Sequence, residues 1–500
     1  MYKNKIFNAL GAVAFCAVLG SCQKVQDFGD TNVDPNVSTT VNTGALLTNV
    51  LANFGGITNA GITTTLVPGL YSQYYAESTY PGTSLYADPN FSSAATYSGN
   101  LNDLQKIINT NSDPATAGVA AANGDNGNQI QVAKIMKAFH FSYLTDRYGD
   151  IPYSQALQGV NNLQPKYDDQ ESIYKSMISD LTTAATTLNA GGFALKGDIA
   201  YSGNIAKWKK LANSLRILFA LRLSGRYPGA SEYSAVELSK AYNDAGGYIS
   251  TNADNFLVTY PGGNIKNPYF SLGQTLDNAV SSTFTSVLNG LTDTRVNVLS
   301  NSPTGVAYGL SSAAPANSAR IFIPSYRLET SPLYFVTASH VLLAVAEAME
   351  RGWIAGKTTA DAKIAYDAGV TASFAQWGLT IPAGYLSGAA DYNSGSGVAS
   401  IGSPVTVPGS SAATTTKLQR IWLQQYIAFY PDGSQSWANF RRTDFPVLKP
   451  TVNATNSSKK IPVRYTYAPD EYSYNSAQLN IQIAKMGGNS QDTRVWWDVN

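Results

Sequence analysis

Apolar positions recur at helical spacing in several stretches of this 500-residue chain. Val132, Ile135, Met136, Phe139 and Tyr143 fall on one face over 130–147, because residues three and four apart share a side of a 3.6-residue turn. Ile173, Tyr174, Met177, Ile178, Leu181, Ala185 and Leu188 make a second stripe over 171–188. Trp208, Leu211, Leu215, Leu218 and Phe219 make a third over 206–223. Further helices are expected over 332–351, 361–376 and 416–430. Between them run segments dense in Gly, Ser, Asn, Pro and Tyr, over 78–100, 110–128, 250–331 and 378–415. Loops of that length are uncommon inside a compact domain and usually carry function. No clean repeat of about 34 residues is visible, so periodicity alone predicts a mostly α chain with long excursions.

The first residues follow a different pattern. Lys3 and Lys5 precede an apolar run from Ile6 to Leu19, which is a secretory signal too short to span a bilayer. It ends in Leu19-Gly20-Ser21-Cys22, small residues before a cysteine that can carry a thioether-linked diacylglycerol. Several acyl chains on one residue anchor stably, at about 0.8 kcal/mol per buried methylene. The expected organisation is a signal peptide at 1–21, a lipidated polar tether at 22–43 and one domain at 44–500. Removal of the signal takes Cys16 with it, so lipidated Cys22 leaves no thiol for a disulfide framework or a thiolate metal site.

Composition narrows the partners. The formal net charge is +1, and charged residues are 13% of the chain, against about 25% in ordinary proteins. Nucleic acid demands a basic footprint that such a chain lacks. Tyrosine, at 31 residues, outnumbers phenylalanine (18) and tryptophan (7) combined. Its rigid ring and polar tip suit sugar faces and protein interfaces, although most of these tyrosines are expected to be structural.

Catalytic motifs are missing. His140 and His340 lie singly inside expected helices and belong to no zinc-binding pair, so both are read as packed or capping residues. Ser172 and Lys175 match S-x-x-K without its companion elements. Asp88, Asp103, Asp277, Asp293 and Asp391 lie in or near loops, where acids also serve as turn formers and caps. Arg441 and Arg442 are expected to tie down carboxylates or helix carbonyls. No catalytic residue, metal or cofactor is assigned.

Six segments in order give the chain a family likeness. They are Asp27 to Thr39 behind the lipobox, Thr145 to Leu157 (TDRYGDIPYSQAL) and Tyr167 to Leu181. The others are Trp208 to Ser224, Ile421 to Pro446 (IWLQQYIAFYPDGSQSWANFRRTDFP), and a close in IPVRYTYAPDEYSYN and VWWD, Val495 to Asp498. In this arrangement the chain resembles the SusD/RagB family of nutrient-binding outer-membrane lipoproteins. The resemblance implies a helical domain of four irregular tetratricopeptide-like helix pairs with a loop-rich ligand face. It further implies a surface-facing lipoprotein, held to the membrane by lipid only, that hands an oligosaccharide to a SusC-type TonB-dependent transporter. Two alternatives stay open: a peptide-binding member of the RagB branch, or a non-catalytic transporter lid without a ligand site.

Sugar capture needs aromatic platforms beside amides and carboxylates, and three loop groups offer them. In Tyr71 to Phe91, where the family often places a binding aromatic, the candidates are Tyr75, Tyr80 and Tyr86 with Gln73, Asp88 and Asn90. The second group is Tyr260, Asn267, Tyr269 and Phe270, and the third is Asp391 with Tyr392. The anchor is the most directly testable element: Cys22→Ser should yield a soluble or unprocessed protein, and radiolabelled palmitate incorporation should disappear.

Overall fold

The computed structural model describes residues 40–58, 66–274, 277–312, 319–393 and 416–499, with the backbone of the short strands Ser400–Ile401 and Val405–Thr406. The signal, Cys22 and the tether up to residue 39 lie outside the described residues. The unit discussed below is Thr43–Asn500.

Helices dominate: α1 (Thr43–Thr58), α2 (Asn102–Ser112), α3 (Asn126–Tyr148), α4 (Gln170–Thr187), α5 (Ile205–Arg222) and α6 (Tyr233–Tyr242) come first. After a stretch of short elements follow α7 (Ala338–Glu350), α8 (Thr359–Gln376), α9 (Lys417–Ala428), α10 (Gly433–Thr443) and α11 (Ser476–Met486). Their starts are set by side chains that accept the otherwise orphaned first-turn N–H groups, each worth about 1 kcal/mol. Asp125 accepts from Asn128 N (2.9 Å), Asp169 from Ser172 N (2.9 Å) and Asn204 from Lys207 N (3.2 Å). Thr358 with Asp361, and Thr416 with Gln419, close reciprocal capping boxes.

Helices adjacent in sequence pack against each other in series: α2 on α3, α3 on α4, α4 on α5 and α5 on α6. Helix α7 is the other hub, packing on α8, α9 and α5. The stripes read from the sequence face this core, with Ile135, Met136, Ile173, Met177, Leu181, Trp208, Leu211 and Leu215 all fully buried.

The helix expected over 332–351 is two elements. Pro332–Val336 is a strand, paired antiparallel with Phe256–Thr259 so that Val258 faces Leu333. Alternating burial of Leu333 and Phe335 across this aromatic and β-branched run has the two-residue period of a sheet. Thr337 then caps α7, accepting from His340 N at 3.3 Å. Of the helices named above, α1, α2, α6, α10 and α11 arise where no stripe was read. Helix α2 buries only Leu104, Ile107 and Asn111, too narrow an apolar face to stand out from its polar neighbours.

Several charged groups are structural. Both histidines are buried, and burial lowers each to about 4. His140 bonds Met136 O and Asn100, and His340 bonds Ala428 O. Lys175 pairs with Glu171 and Ser172 N is bonded by the α4 cap, so the S-x-x-K match performs helix chemistry. Asp293 accepts from Arg295 Nε and Nη2 with neither side chain exposed. Arg441 Nη1 donates to Val463 O at 2.8 Å.

Glu347 forms the densest polar knot. Arg442 Nη1 and Nη2 donate to its two oxygens at 2.6 and 2.8 Å, Arg351 donates at 2.9 Å and Gln425 Nε2 at 3.0 Å. Burial alone would raise this carboxyl, but the two guanidinium groups outweigh it and hold Glu347 well below the usual carboxylate range. Asp432 has the opposite environment. Burial pushes it up to about 6, although Tyr143 and the N–H groups of Ser434 and Gln435 donate to it.

Two measurements check these assignments. Glu347→Gln should cost about 3–5 kcal/mol in denaturant unfolding at pH 7, because Arg442 loses its buried counter-charge. That contribution is complete above the ordinary carboxyl value and is lost as pH falls below it, since the folded state holds the ionised form. For Asp432 the sign reverses: between its ordinary 3.8 and about 6 the folded state binds more protons, so stability falls as pH rises through that window. Asp432→Asn should remove this slope, making the variant about 2–3 kcal/mol more stable relative to wild type at pH 7 than at pH 4.

Candidate functional site

The loop between Tyr71 and Phe91 is launched from a rigid base. The short helix Leu66–Tyr71 packs on α10 where Gly69 meets Gly433, an approach so close that a Cβ on Gly433 would overlap the Gly69 backbone. Tyr71, Tyr74 and Tyr75 follow, all without exposed surface. Tyr74 packs against Phe284, Tyr426 and Tyr430, and Tyr71 against Trp437 and Tyr465. Strand β1 (Tyr75–Glu77) is the first strand of the unit and pairs antiparallel with Asn278–Val280.

Beyond β1 the chain turns outward and is tied at intervals. Glu77 accepts from Ser84 N (2.7 Å) while its own N–H donates to Ser84 Oγ (3.1 Å). Burial raises the Glu77 carboxyl despite these bonds. Leu85 O accepts from Thr455 N (2.7 Å) and Oγ1 (2.9 Å). Tyr148 donates to Phe91 O at 2.7 Å. Between the first two ties Tyr80 stands 73% exposed, leaving its ring open to solvent.

The candidates of this loop separate by burial. Tyr75 is sealed in the core, its hydroxyl donating to Pro431 O at 2.8 Å. Tyr86 is equally buried, edge-on to Tyr71, and its hydroxyl accepts from Thr451 N. Gln73 spends its amide internally, Nε2 donating to Lys449 O and Oε1 accepting from Thr283 Oγ1. Tyr75 and Gln73 present no face to a ligand in this structure, whereas Tyr86, though buried, borders a cleft beside Asp88. Asp88 and Asn90 are exposed, and Asn90 N donates to Asp88 Oδ1 at 3.0 Å.

The second group turns inward. Tyr260, Asn267 and Tyr269 are buried, and Asn267 caps a short helix by accepting from Tyr269 N and donating to Ser331 O. Tyr269 meets Tyr75 hydroxyl to hydroxyl at 3.4 Å, so two groups distant in sequence converge inside the core. Only Phe270 is half-exposed, with the Lys266 ammonium 5.2 Å from its ring centre. In the third group Tyr392 is buried and donates to Glu350 Oε2 at 2.5 Å, while Asp391 is half-buried and accepts from Asn393 N.

Two of the candidates, Tyr86 and Asp88, border a cleft of about 290 Å³ whose remaining lining sequence reasoning did not foresee. Its other walls come from 455–457, Thr466 and 489–492, far away along the chain. Thr466 Oγ1 donates to both Asp88 oxygens, at 2.8 and 3.0 Å. Asn489 Nδ2 donates to Tyr467 O and to the hydroxyl of Tyr472, itself 45% exposed. Asn456 Oδ1 is buried without a hydrogen-bond partner among the described residues. The cleft thus joins carboxylate, hydroxyl and amide groups, an inventory matched to polyhydroxylated ligands. Nothing in these short polar stretches marks them in sequence, because they become neighbours only through folding.

Among the described residues no helix is long and apolar enough to cross a membrane.

Comparison with known proteins bears on this geometry. A search of curated proteins finds no match. Among solved structures, a chitin-binding protein is 29% identical, with TM-score 0.74, covering 92% of this chain and 100% of its own. A chitin-binding SusD homologue from Flavobacterium johnsoniae is 26% identical, with TM-score 0.71, covering 91% and 99%. A SusD-like protein from Bacteroides thetaiotaomicron, at 22% identity and TM-score 0.74, shares the fold over 92% and 99%. Residues 35–468 match the SusD-like family, described as starch-binding and associating with the outer membrane, and the chain belongs to that family.

Proposed function

We propose that this protein captures an oligosaccharide at the outer face of the outer membrane, held there by lipid on Cys22, and delivers it to a SusC-type TonB-dependent transporter. The observation that carries the reading is the likeness over more than nine-tenths of the chain to two chitin-binding proteins. Oligomers of N-acetylglucosamine are therefore the first ligands to test. The role is binding without catalysis: Asp293 is consumed by Arg295, and of the two acids lining the cleft Asp88 accepts from Thr466 and Asp492 from Ser458.

Two features support a sugar site on the Tyr71–Phe91 loop. Tyr80 offers an exposed ring between anchored points, so little loop entropy is lost when a sugar face stacks on it. The cleft at Asp88 supplies acceptors and donors for hydroxyl and acetamido groups. Tyr472, 45% exposed, is tied to the same cleft through the Asn489 bond to its hydroxyl.

Calorimetric titration of the domain with chitohexaose tests this reading. Tyr80→Ala should weaken binding by about 1 kcal/mol or more, roughly fivefold. Asp88→Asn should weaken it as well, whereas Tyr392→Phe, remote from the loop in sequence and buried, should leave affinity unchanged. Equal affinity of wild type and Tyr80→Ala would remove the loop from the site. Gentle detergent extraction with a C-terminal tag should bring down a TonB-dependent barrel; recovery of the lipoprotein alone would count against delivery.

A further inference from the structure

A second concavity lies on the helical part of the chain. A groove of about 730 Å³ opens between α2, α3, α4 and the loop after Ile151–Pro152, within the roughly 300–1,000 Å³ typical of small-molecule sites. Asn102, Gln105 and Asn109, spaced three and four apart, place one row of carboxamides along it. The loop contributes Gln158 and Asn161. The side chains of Asn102, Gln158 and Asn161 bond no protein group among the described residues, which leaves their amides available to a ligand in the groove they line.

Its distinguishing group is Lys137 of α3. The ammonium has three donors, and one is used, toward Gln105 Oε1 at 2.7 Å. Among the described residues no carboxylate lies within ion-pair distance of it. Asp180, which also lines the groove, is committed to Lys134 at 3.1 Å. Burial lowers Lys137 from its usual value, opposed by Asp180 and reinforced by Lys134. A half-buried cation bonded only to a neutral amide is left without a direct counter-charge, and an anion in the groove would supply one.

We infer that this groove is a second binding site, taking a carboxylate-bearing saccharide of the uronic acid type. The carboxylate sits against Lys137, and the free carboxamides of Asn102, Gln158 and Asn161 bond the ring hydroxyls. Tyr153, half-buried and braced edge-on against Phe141 at 4.7 Å, borders the ring position. An acidic peptide shares the carboxylate, but its affinity depends on pockets for apolar and aromatic side chains, and Ala156 and Leu157 are the aliphatic side chains in this lining. The inference stands apart from the reading of the Asp88 cleft, which concerns a neutral sugar and other residues.

The test uses full-length protein purified in detergent, as wild type, Lys137→Gln, Asn102→Asp and Tyr80→Ala, with thermal melts to verify folding. Each is titrated at low salt with galacturonate and glucuronate trimers, their neutral hexose counterparts and a tetraglutamate peptide. Saturable binding of at least one uronate is expected, weakened tenfold or more by Lys137→Gln and by Asn102→Asp, which adds a repelling charge. Tyr80→Ala should bind the uronate like wild type, which separates this site from the chitohexaose site. Binding of neither uronate, binding that Lys137→Gln leaves unchanged, or tighter binding of tetraglutamate than of either uronate would each overturn the proposal.

Discussion

The Glu347 carboxylate sits where three helices and the end of a fourth must agree. Glu347 belongs to α7, Gln425 to α9, Asn439 and Arg442 to α10, and Ser224, just past α5, accepts from Arg442 at 3.0 Å. A buried ion pair of this kind adds little net stability over an apolar contact of the same shape, because desolvation offsets most of the attraction. What it adds is geometry. The planar fork of Arg442 meets Glu347 with two parallel bonds; displacement of α7 against α10 would leave a charge unpaired in the interior, and displacement of α9 would withdraw the Gln425 amide from the carboxylate. The register of α7, α9 and α10 is therefore held within narrow limits.

That register positions the Tyr71–Phe91 loop at a distance. Helix α10 carries Gly433, on which the Leu66–Tyr71 helix rests, and Trp437, which packs against Tyr71 and Tyr465. From this base the Tyr74, Tyr75, Phe284 and Tyr430 rings hold the start of β1 in place. The exposed Tyr80 then projects from a loop whose origin is fixed by an aromatic core and whose course is pinned by Glu77 and Thr455. Rigid positioning of a single exposed ring suits capture, where ordering of a mobile loop would subtract from affinity.

The two concavities divide along chemical lines. The Asp88 cleft is built from loops and combines carboxylates with amides, while the second groove lies between α2, α3, α4 and one loop and holds the Lys137 ammonium. Neutral and acidic sugars would accordingly meet different parts of one chain. Such a division fits a protein whose formal net charge is only +1, because local rather than global charge then decides what is held where.

The sequence by itself determined the helical class, the stripes of α3, α4 and α5, the absence of catalytic motifs and the family likeness, since periodic burial and ordered motifs are local properties. It also foresaw Arg441 and Arg442 as structural forks. It misread 332–336 as helix, because a five-residue apolar run before a cap has no period long enough to separate strand from helix. It could not separate tyrosines either: Tyr75, Tyr80, Tyr86, Tyr260, Tyr269 and Tyr392 have the same local polarity, yet Tyr80 alone of these is exposed. Burial of an amphipathic ring depends on partners hundreds of residues away, such as Pro431 for Tyr75 and Thr451 for Tyr86. The walls of the Asp88 cleft and the company kept by Lys137 are likewise products of long-range packing, and only the tertiary structure decided them.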